Sequence, residues 1–268
     1  MTILNTRQIR KRKNSKGESP LSMLTAYDFQ TAQLLNNTDL DLILVGDSVG
    51  NVILGYETTV EVSLTEMIIF GSAVKRGAPD KFVVVDMPFG TYSSLDAGLK
   101  NSIELFQKTK AQAIKLEGAG QTVTKVIQEM TATGIPVMGH IGLTPQSVHQ
   151  QGGYYTHGKS KKREEQLIIE AQSLQEAGCF AIVLECVESS LAEKISQQLE
   201  IPTIGIGSGN GTDGQVLVTN DLLMQGPHIP PSFCKPIANL FELKKELISK
   251  YLKELTTSKS QDLLPKVQ

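Results

Sequence analysis

The chain has 268 residues, 40% of them hydrophobic, and a formal net charge of -2. That length suits a single large α/β domain, since barrels of this kind run to about 250 residues. The near-neutral balance excludes the strongly basic character of nucleic-acid binders, and no apolar run approaches the roughly 18 residues of a membrane span.

The first segment, Arg7 to Lys16, is locally basic and predicts a solvated terminal helix over about residues 5–17 rather than a targeting segment, because no apolar stretch follows it. Short apolar runs then predict strands at Leu21–Ala26, Leu42–Gly46, Phe82–Asp86, Ala113–Glu117, Pro136–His140, Ala181–Glu185, Pro202–Ile206 and Gln215–Thr219. Helical stretches lie between most of them, among them "LTEMIIFGSAVKRGA" from Leu64 and "REEQLIIEAQSLQEAG" from Arg163. The second carries Leu167, Ile168, Ala171, Leu174 and Ala177 on one helical face. Gly77, Gly134 and Gly178 each stand just before a strand, where a glycine closes a helix. A helical tail is expected over about 236–268, and no linker or low-complexity tract interrupts the chain, so one domain over 1–268 is expected. Strands alternating with helices imply βαβ units, and eight such units imply a closed (β/α)₈ TIM barrel. The rival, a doubly wound nucleotide-binding sheet, has one fingerprint match, "GNGTDG" at Gly209 to Gly214. It is followed by the strand-like "QVLVT", whereas the fingerprint must open a helix. Cys179, Cys186 and Cys234 form no CxxC pair, so reduced thiols and a cytoplasmic location are expected.

Barrel active sites form at the C-terminal strand ends. Those ends carry Tyr27 with Asp28, Asp47 with Ser48, Asp86, Lys115 with Glu117, His140, Glu185 and Ser208. Turn propensity accounts for Asp-Ser after a strand, but not for Glu closing both "AIKLE" and "AIVLE". Lys115 and Glu117, two apart, share a face that Leu116 does not. Asp47, Asp86, Glu117 and Glu185 then face a single cation, Lys115. A low-dielectric pocket holds that many ionised carboxylates only with a positive counterweight. A hard divalent cation with oxygen ligands, Mg²⁺, is the simplest, and zinc is disfavoured for want of His/Cys spacing. His140 and Tyr27 are candidate pocket-lining residues.

The motifs "TAYD", "LVGDS", "VVDMPFGTY", "IKLEG", "GHIGLTPQSV", "LEC" and "IPTIGIGSGNGTDGQVLV" occur in order between about Leu21 and Val218. Together they resemble the ketopantoate hydroxymethyltransferase family, a TIM barrel of the phosphoenolpyruvate mutase and isocitrate lyase group. The resemblance implies transfer of a hydroxymethyl group from the co-substrate 5,10-methylenetetrahydrofolate to 3-methyl-2-oxobutanoate, giving ketopantoate for pantothenate synthesis. It implies one Mg²⁺ per subunit and a homo-oligomer, a decamer, with no nucleic-acid or membrane partner. By motif, it assigns Asp47, Ser48, Asp86 and Lys115 to the keto acid, Asp47, Asp86 and Glu117 to the magnesium shell, and Glu185 to proton acceptance. The gaps Ser48–Ser63 and Gly142–Lys161 are candidates for folate contacts and a lid. The chain departs from the family at Ser208, usually Ala, at His157, usually Gln, and loosely after Asp221. Two other classes fit less of the pattern. An isocitrate-lyase-type keto-acid lyase would share the enolate step without folate, and a phosphosugar-binding barrel would need "GIGSGNG" to cradle phosphate.

Overall fold

A computed structural model describes residues 3–13 and 19–257. Its framework is eight parallel strands closed in sequence order into a barrel. They are β1 (Leu21–Thr25), β2 (Leu42–Val45), β3 (Phe82–Asp86), β4 (Ala113–Glu117), β5 (Val137–Gly142), β6 (Ala181–Glu185), β7 (Thr203–Ile206) and β8 (Gly214–Leu217). The helices of this part are α1 (Thr6–Lys11), α2 (Phe29–Asn36), α3 (Leu64–Gly77), α4 (Leu95–Thr109), α5 (Gln121–Ala132), α6 (Val148–Gln151), α7 (Lys161–Glu176) and α8 (Ser189–Gln198).

Three of the expected strands, those at Phe82, Ala113 and Ala181, have the bounds read from the sequence, and the others move by one or two residues. The larger changes are β5, which runs on through Ile141 and Gly142, and β8, which ends at Leu217 rather than Thr219. Helix α1 covers the core of the expected 5–17 helix, and residues 14–17 of that expectation lie outside the described residues. Helix α7 starts two residues before Arg163 because Ser160 caps it, its side chain accepting from the Arg163 N–H. Gly178 closes that helix as expected, with φ at +101°. Gly77 serves a different purpose. It is still helical, and a Cβ there would meet Phe29 O at 2.4 Å, so the glycine permits α3 to pack tightly on α2.

Strand parity decides what faces inward. Ile43, Val45, Val83, Val85, Ile114, Leu116, Ile182 and Leu184 join the helix-facing core with Val74, Leu105, Val126 and Leu174. Each fully buried aliphatic side chain of this kind contributes about 1.5–3 kcal/mol. Period-2 alternation therefore turns Leu44, Asp86, Lys115, Glu117 and Val183 toward the barrel axis.

The chain divides into two compact units, Met1–Val218 and Thr219–Gln268, with no linker composition to mark the division. Within the second, α9 (Thr219–Leu222) is followed by α10 (Leu240–Thr257). The N–H groups of Ile237, Leu240 and Phe241 donate to the carbonyls of Leu222, Leu223 and Met224. Residues 258–268 of the expected tail lie outside the described residues.

Candidate active site

The C-terminal strand ends enclose a cavity of about 90 Å³. Its polar wall is Asp47, Ser48, Asp86, Lys115, Glu117, His140 and Glu185, and its apolar wall includes Leu44, Val183, Ile206 and Val216. A larger cavity of about 550 Å³, lined by Arg7, Arg10 and Lys11 on α1, holds none of these acids. The small cavity is the candidate site because the titratable groups converge there.

Register brings them together. Asp86 pairs with Lys115 across β3 and β4, and Glu117 with His140 across β4 and β5. The Lys115 ammonium lies 3.1 Å from Asp86 Oδ2 and 4.0 Å from Glu117 Oε1. Asp86 Oδ2 also accepts the backbone N–H of Asp47 at 3.1 Å. His140 bridges two acids, with Nδ1 3.3 Å from Glu117 Oε1 and Nε2 3.2 Å from Glu185 Oε2. The second contact is electrostatic, since His140 Nε2 makes no aligned hydrogen bond.

The site is a crowded charge system in a dry wall. Burial raises the Asp47 pKa well above the usual carboxylate range, and Glu117 and Asp86 push it further against Lys115 and Gln146. Burial likewise raises Asp86, against the pull of Lys115. Burial opposes the Lys115 charge, yet Asp86, Glu117 and Asp47 outweigh it and keep the ammonium protonated. Burial and Lys115 also oppose the charge on His140, but Glu117 and Glu185 prevail and lift it to about 9. Glu117 moves the other way, because His140 and Lys115 overcome burial.

This donor set fits a hard cation in part. Asp86 Oδ1 is buried with no hydrogen-bond partner. Beside it, burial first and then Glu117 and Asp86 make Asp47 resist ionisation, a cost that a cation would offset. Mg²⁺ commonly takes one or two carboxylates and completes its octahedron with water and substrate oxygens, so Asp47 and Asp86 suffice. Glu117 is spent elsewhere, on His140, Lys115 and the backbone N–H of Gln146. Accordingly, among the described residues no group of three or more His, Cys, Asp or Glu is gathered as a metal-ligand set.

Other singled-out residues take defined places. Ser48 Oγ lies 2.7 Å from Tyr27 Oη, whereas Asp28 caps α2 by accepting the Thr31 N–H at 2.8 Å. The two departures from the family pattern meet on the segment after Glu185. Ser208 Oγ accepts the Val187 N–H at 2.9 Å and donates to Leu184 O at 2.8 Å. The His157 backbone donates to Cys186 O at 2.7 Å and accepts from Glu188 N at 2.9 Å, tying the expected lid segment to the same place. Cys186 has φ at +48°, so strand alternation ends at Glu185, and the thiol does not line the cavity. Gly142 is required here, because with φ at +98° a Cβ would sit 2.2 Å from Glu185 O. Two site residues escaped the sequence reading, Gln146 and Tyr92. Their only signals are their places in quoted motifs, Gln146 inside "GHIGLTPQS" after β5 and Tyr92 at the end of "VVDMPFGTY" after β3.

The sequence profile of the ketopantoate hydroxymethyltransferase family matches residues 4–260. The chain is 46% identical to a 3-methyl-2-oxobutanoate hydroxymethyltransferase of Thermotoga sp. (strain RQ2), covering 92% of this chain and 91% of that one. It is 48% identical to one of Bacillus cereus (strain G9842), covering 89% and 86%. In fold it resembles a phosphonopyruvate hydrolase solved with oxalate and Mg²⁺, at TM-score 0.65, 11% identity and coverage of 98% and 93%. It also resembles 2,3-dimethylmalate lyase, a phosphoenolpyruvate mutase/isocitrate lyase superfamily member, at TM-score 0.60, 12% identity and coverage of 99% and 89%.

Proposed function

The chain belongs to the ketopantoate hydroxymethyltransferase family, and from that premise we propose how its residues move a hydroxymethyl group onto 3-methyl-2-oxobutanoate to give ketopantoate. The observation that carries the reading is Asp86, with one buried oxygen unpartnered, beside Asp47, whose burial among acids opposes its charge, next to a cation that stays charged. Asp47 and Asp86 hold Mg²⁺, with Glu117 contributing charge to its shell. Bound there with the keto acid, Mg²⁺ would withdraw electrons and stabilise charge developing on the 2-oxo oxygen. Lys115 offsets the negative charge of the acid, and the Ser48 hydroxyl, held by Tyr27, orients it. The isopropyl group meets the apolar wall of Leu44, Val183, Ile206 and Val216. Glu185 stands on a separate strand from the metal-holding acids and takes the C3 proton. His140 holds Glu185 Oε2 at 3.2 Å and so fixes the carboxylate against the cavity.

One water breaks both C–N bonds of the methylene bridge of 5,10-methylenetetrahydrofolate, leaving tetrahydrofolate and formaldehyde. C3 then adds to the formaldehyde carbon, and the C=O electron pair becomes the alkoxide that takes a proton to give the hydroxymethyl group. The segment between β5 and α7 presents Tyr154, 63% exposed and close enough to Glu185 for that charge to raise its pKa after burial does. An open aromatic face of this kind suits a pterin ring. The enzyme works in the cytoplasm, a reading supported by three free cysteines. No helix among the described residues is long and apolar enough to cross a membrane. It works as a homo-oligomer, a decamer, on the strength of family kinship; a monomer in sedimentation at micromolar concentration would contradict this.

The metal reading has a direct test. Chelator is expected to abolish turnover and Mg²⁺ to restore it. Full activity in metal-free buffer would contradict the assignment.

A further inference from the structure

We propose that Gln146, held in place by Tyr92, is the positioning residue that sets Asp47 and Glu117 for the keto acid and the divalent cation. The inference rests on the reading of Asp47 and Asp86 as the cation site given above.

Gln146 lies in the 3₁₀ turn Pro145–Ser147 directly after β5 and is 4% exposed. Every hydrogen-bonding group it owns on this side is committed. The backbone N–H donates to Glu117 Oε2 at 3.1 Å. The side-chain Nε2 donates to Asp47 Oδ2 at 2.9 Å and to Met87 O at 2.9 Å. The side-chain Oε1 accepts from Tyr92 Oη at 2.5 Å. One residue therefore touches the acid after β2, the acid ending β4 and the loop after β3.

The chemistry fixes the direction of each bond. A glutamine amide has two donors on nitrogen and an acceptor on oxygen. The Met87 carbonyl can only accept, so the nitrogen faces it and Asp47, and the Tyr92 hydroxyl donates to the oxygen on the other side. Were the amide turned over, two oxygens would confront each other at Asp47 and again at Met87. Met87 O thus selects the amide orientation and Tyr92 braces it, and the amide selects which oxygen of Asp47 is occupied. The other oxygen of Asp47 is left for the site. Gln146 also supplies neutral donors where carboxylates already crowd, which lowers the cost of ionising Asp47 without adding another charge. A purely space-filling residue would need none of these four contacts.

The test compares Gln146→Met, which keeps volume and loses every side-chain donor, with Gln146→Ala and Tyr92→Phe. Mg²⁺ and 3-methyl-2-oxobutanoate are titrated into each by calorimetry without folate, beside melting temperature and steady-state kinetics. Outer-sphere partners of a metal ligand typically change affinity about 10–100-fold. That loss of Mg²⁺ affinity is expected for both Gln146 variants, with a smaller loss in the same direction for Tyr92→Phe. KM for the keto acid should rise while kcat returns at high Mg²⁺, the pattern of a weakened bound state rather than a lost reacting group. If Gln146→Met binds both ligands as the parent does, the proposal is overturned, and a lowered melting temperature with unchanged affinities would assign Gln146 to folding alone. If the parent itself binds no Mg²⁺, the metal reading fails separately. Gln146 is then judged by keto-acid affinity, where a loss sustains its role and no change ends it.

Discussion

At the N-terminal end of the barrel, Asp213 Oδ2 accepts the Thr203 N–H at 2.8 Å, the Thr203 hydroxyl at 3.0 Å and the Ser196 hydroxyl at 2.9 Å. It also meets the Lys13 ammonium at 2.8 Å, both side chains being nearly buried. At the C-terminal end, Asp86 keeps one oxygen with no hydrogen-bond partner, and Asp47 is buried beside two other acids. Burial works to raise all three acids. At Asp213 the donors, led by Lys13 and Thr203, overcome it and lower the pKa, whereas at Asp47 and Asp86 it prevails. A carboxylate built for stability is satisfied by its own fold. One built for binding is left incomplete, and the fold bears that cost in stability.

The sharpest way to break this comparison is to neutralise an acid at each end. Asp86→Asn removes the charge behind the unpartnered Oδ1 and should lower Mg²⁺ affinity by more than the ~100-fold seen for outer partners, measured by calorimetry. Asp47→Asn should lose affinity similarly while its melting temperature holds or rises. The sign follows from the raised pKa: an acid whose folded pKa exceeds its unfolded one costs stability once pH passes the unfolded value, and Asn removes that cost. A lowered melting temperature with intact Mg²⁺ binding would reverse the assignment of the two ends.

Asp213→Asn should do the opposite. It strands the buried Lys13 ammonium, and breaking a buried pair costs about 3 kcal/mol or more. Denaturant unfolding should show that loss while keto-acid affinity stays at the parent value. The pH dependence sharpens it. The Asp213 folded pKa lies below its ordinary 3.8, so its contribution is complete above that value and lost as pH falls through the folded one. The stability gap between parent and Asp213→Asn should be flat near neutrality and close in acid. A gap that widens in acid would contradict the network.

The smallest effect is expected at Cys186, next to the base. Burial, then Glu185, pushes its thiol up to about 12, so it carries no thiolate near neutrality. Cys186→Ala should leave proton abstraction nearly unchanged, measured as solvent deuterium uptake at C3.

Much of this was legible in the sequence because it rests on alternation. Parity in "FVVVD", "AIKLE" and "AIVLE" was enough to set Asp86, Lys115, Glu117 and Glu185 on one face. Strand order then followed from the repeat. The illegible parts depend on closure. Gln146 and Tyr92 sit in loops after β5 and β3, and their contact at 2.5 Å exists only because the barrel brings those loops together. The reach of β5 to Gly142 depends on closure too, since only the barrel brings Gly142 against Glu185 O, where a Cβ would sit 2.2 Å away. His140 was read only as a lining residue, because its bridge between Glu117 and Glu185 joins three separate strands. The division after Val218 has no linker composition to reveal it.

The incomplete acids at the C-terminal end hold the keto acid while Glu185 takes its proton. Solvent deuterium exchange at C3 of 3-methyl-2-oxobutanoate, without folate, isolates that step. Glu185→Gln keeps the size of the side chain and removes the acceptor. The account predicts that this variant still binds Mg²⁺ and keto acid, while exchange falls by roughly 10²–10⁴-fold, the usual range for a lost general base. Exchange at the parent rate would show that another group takes the proton.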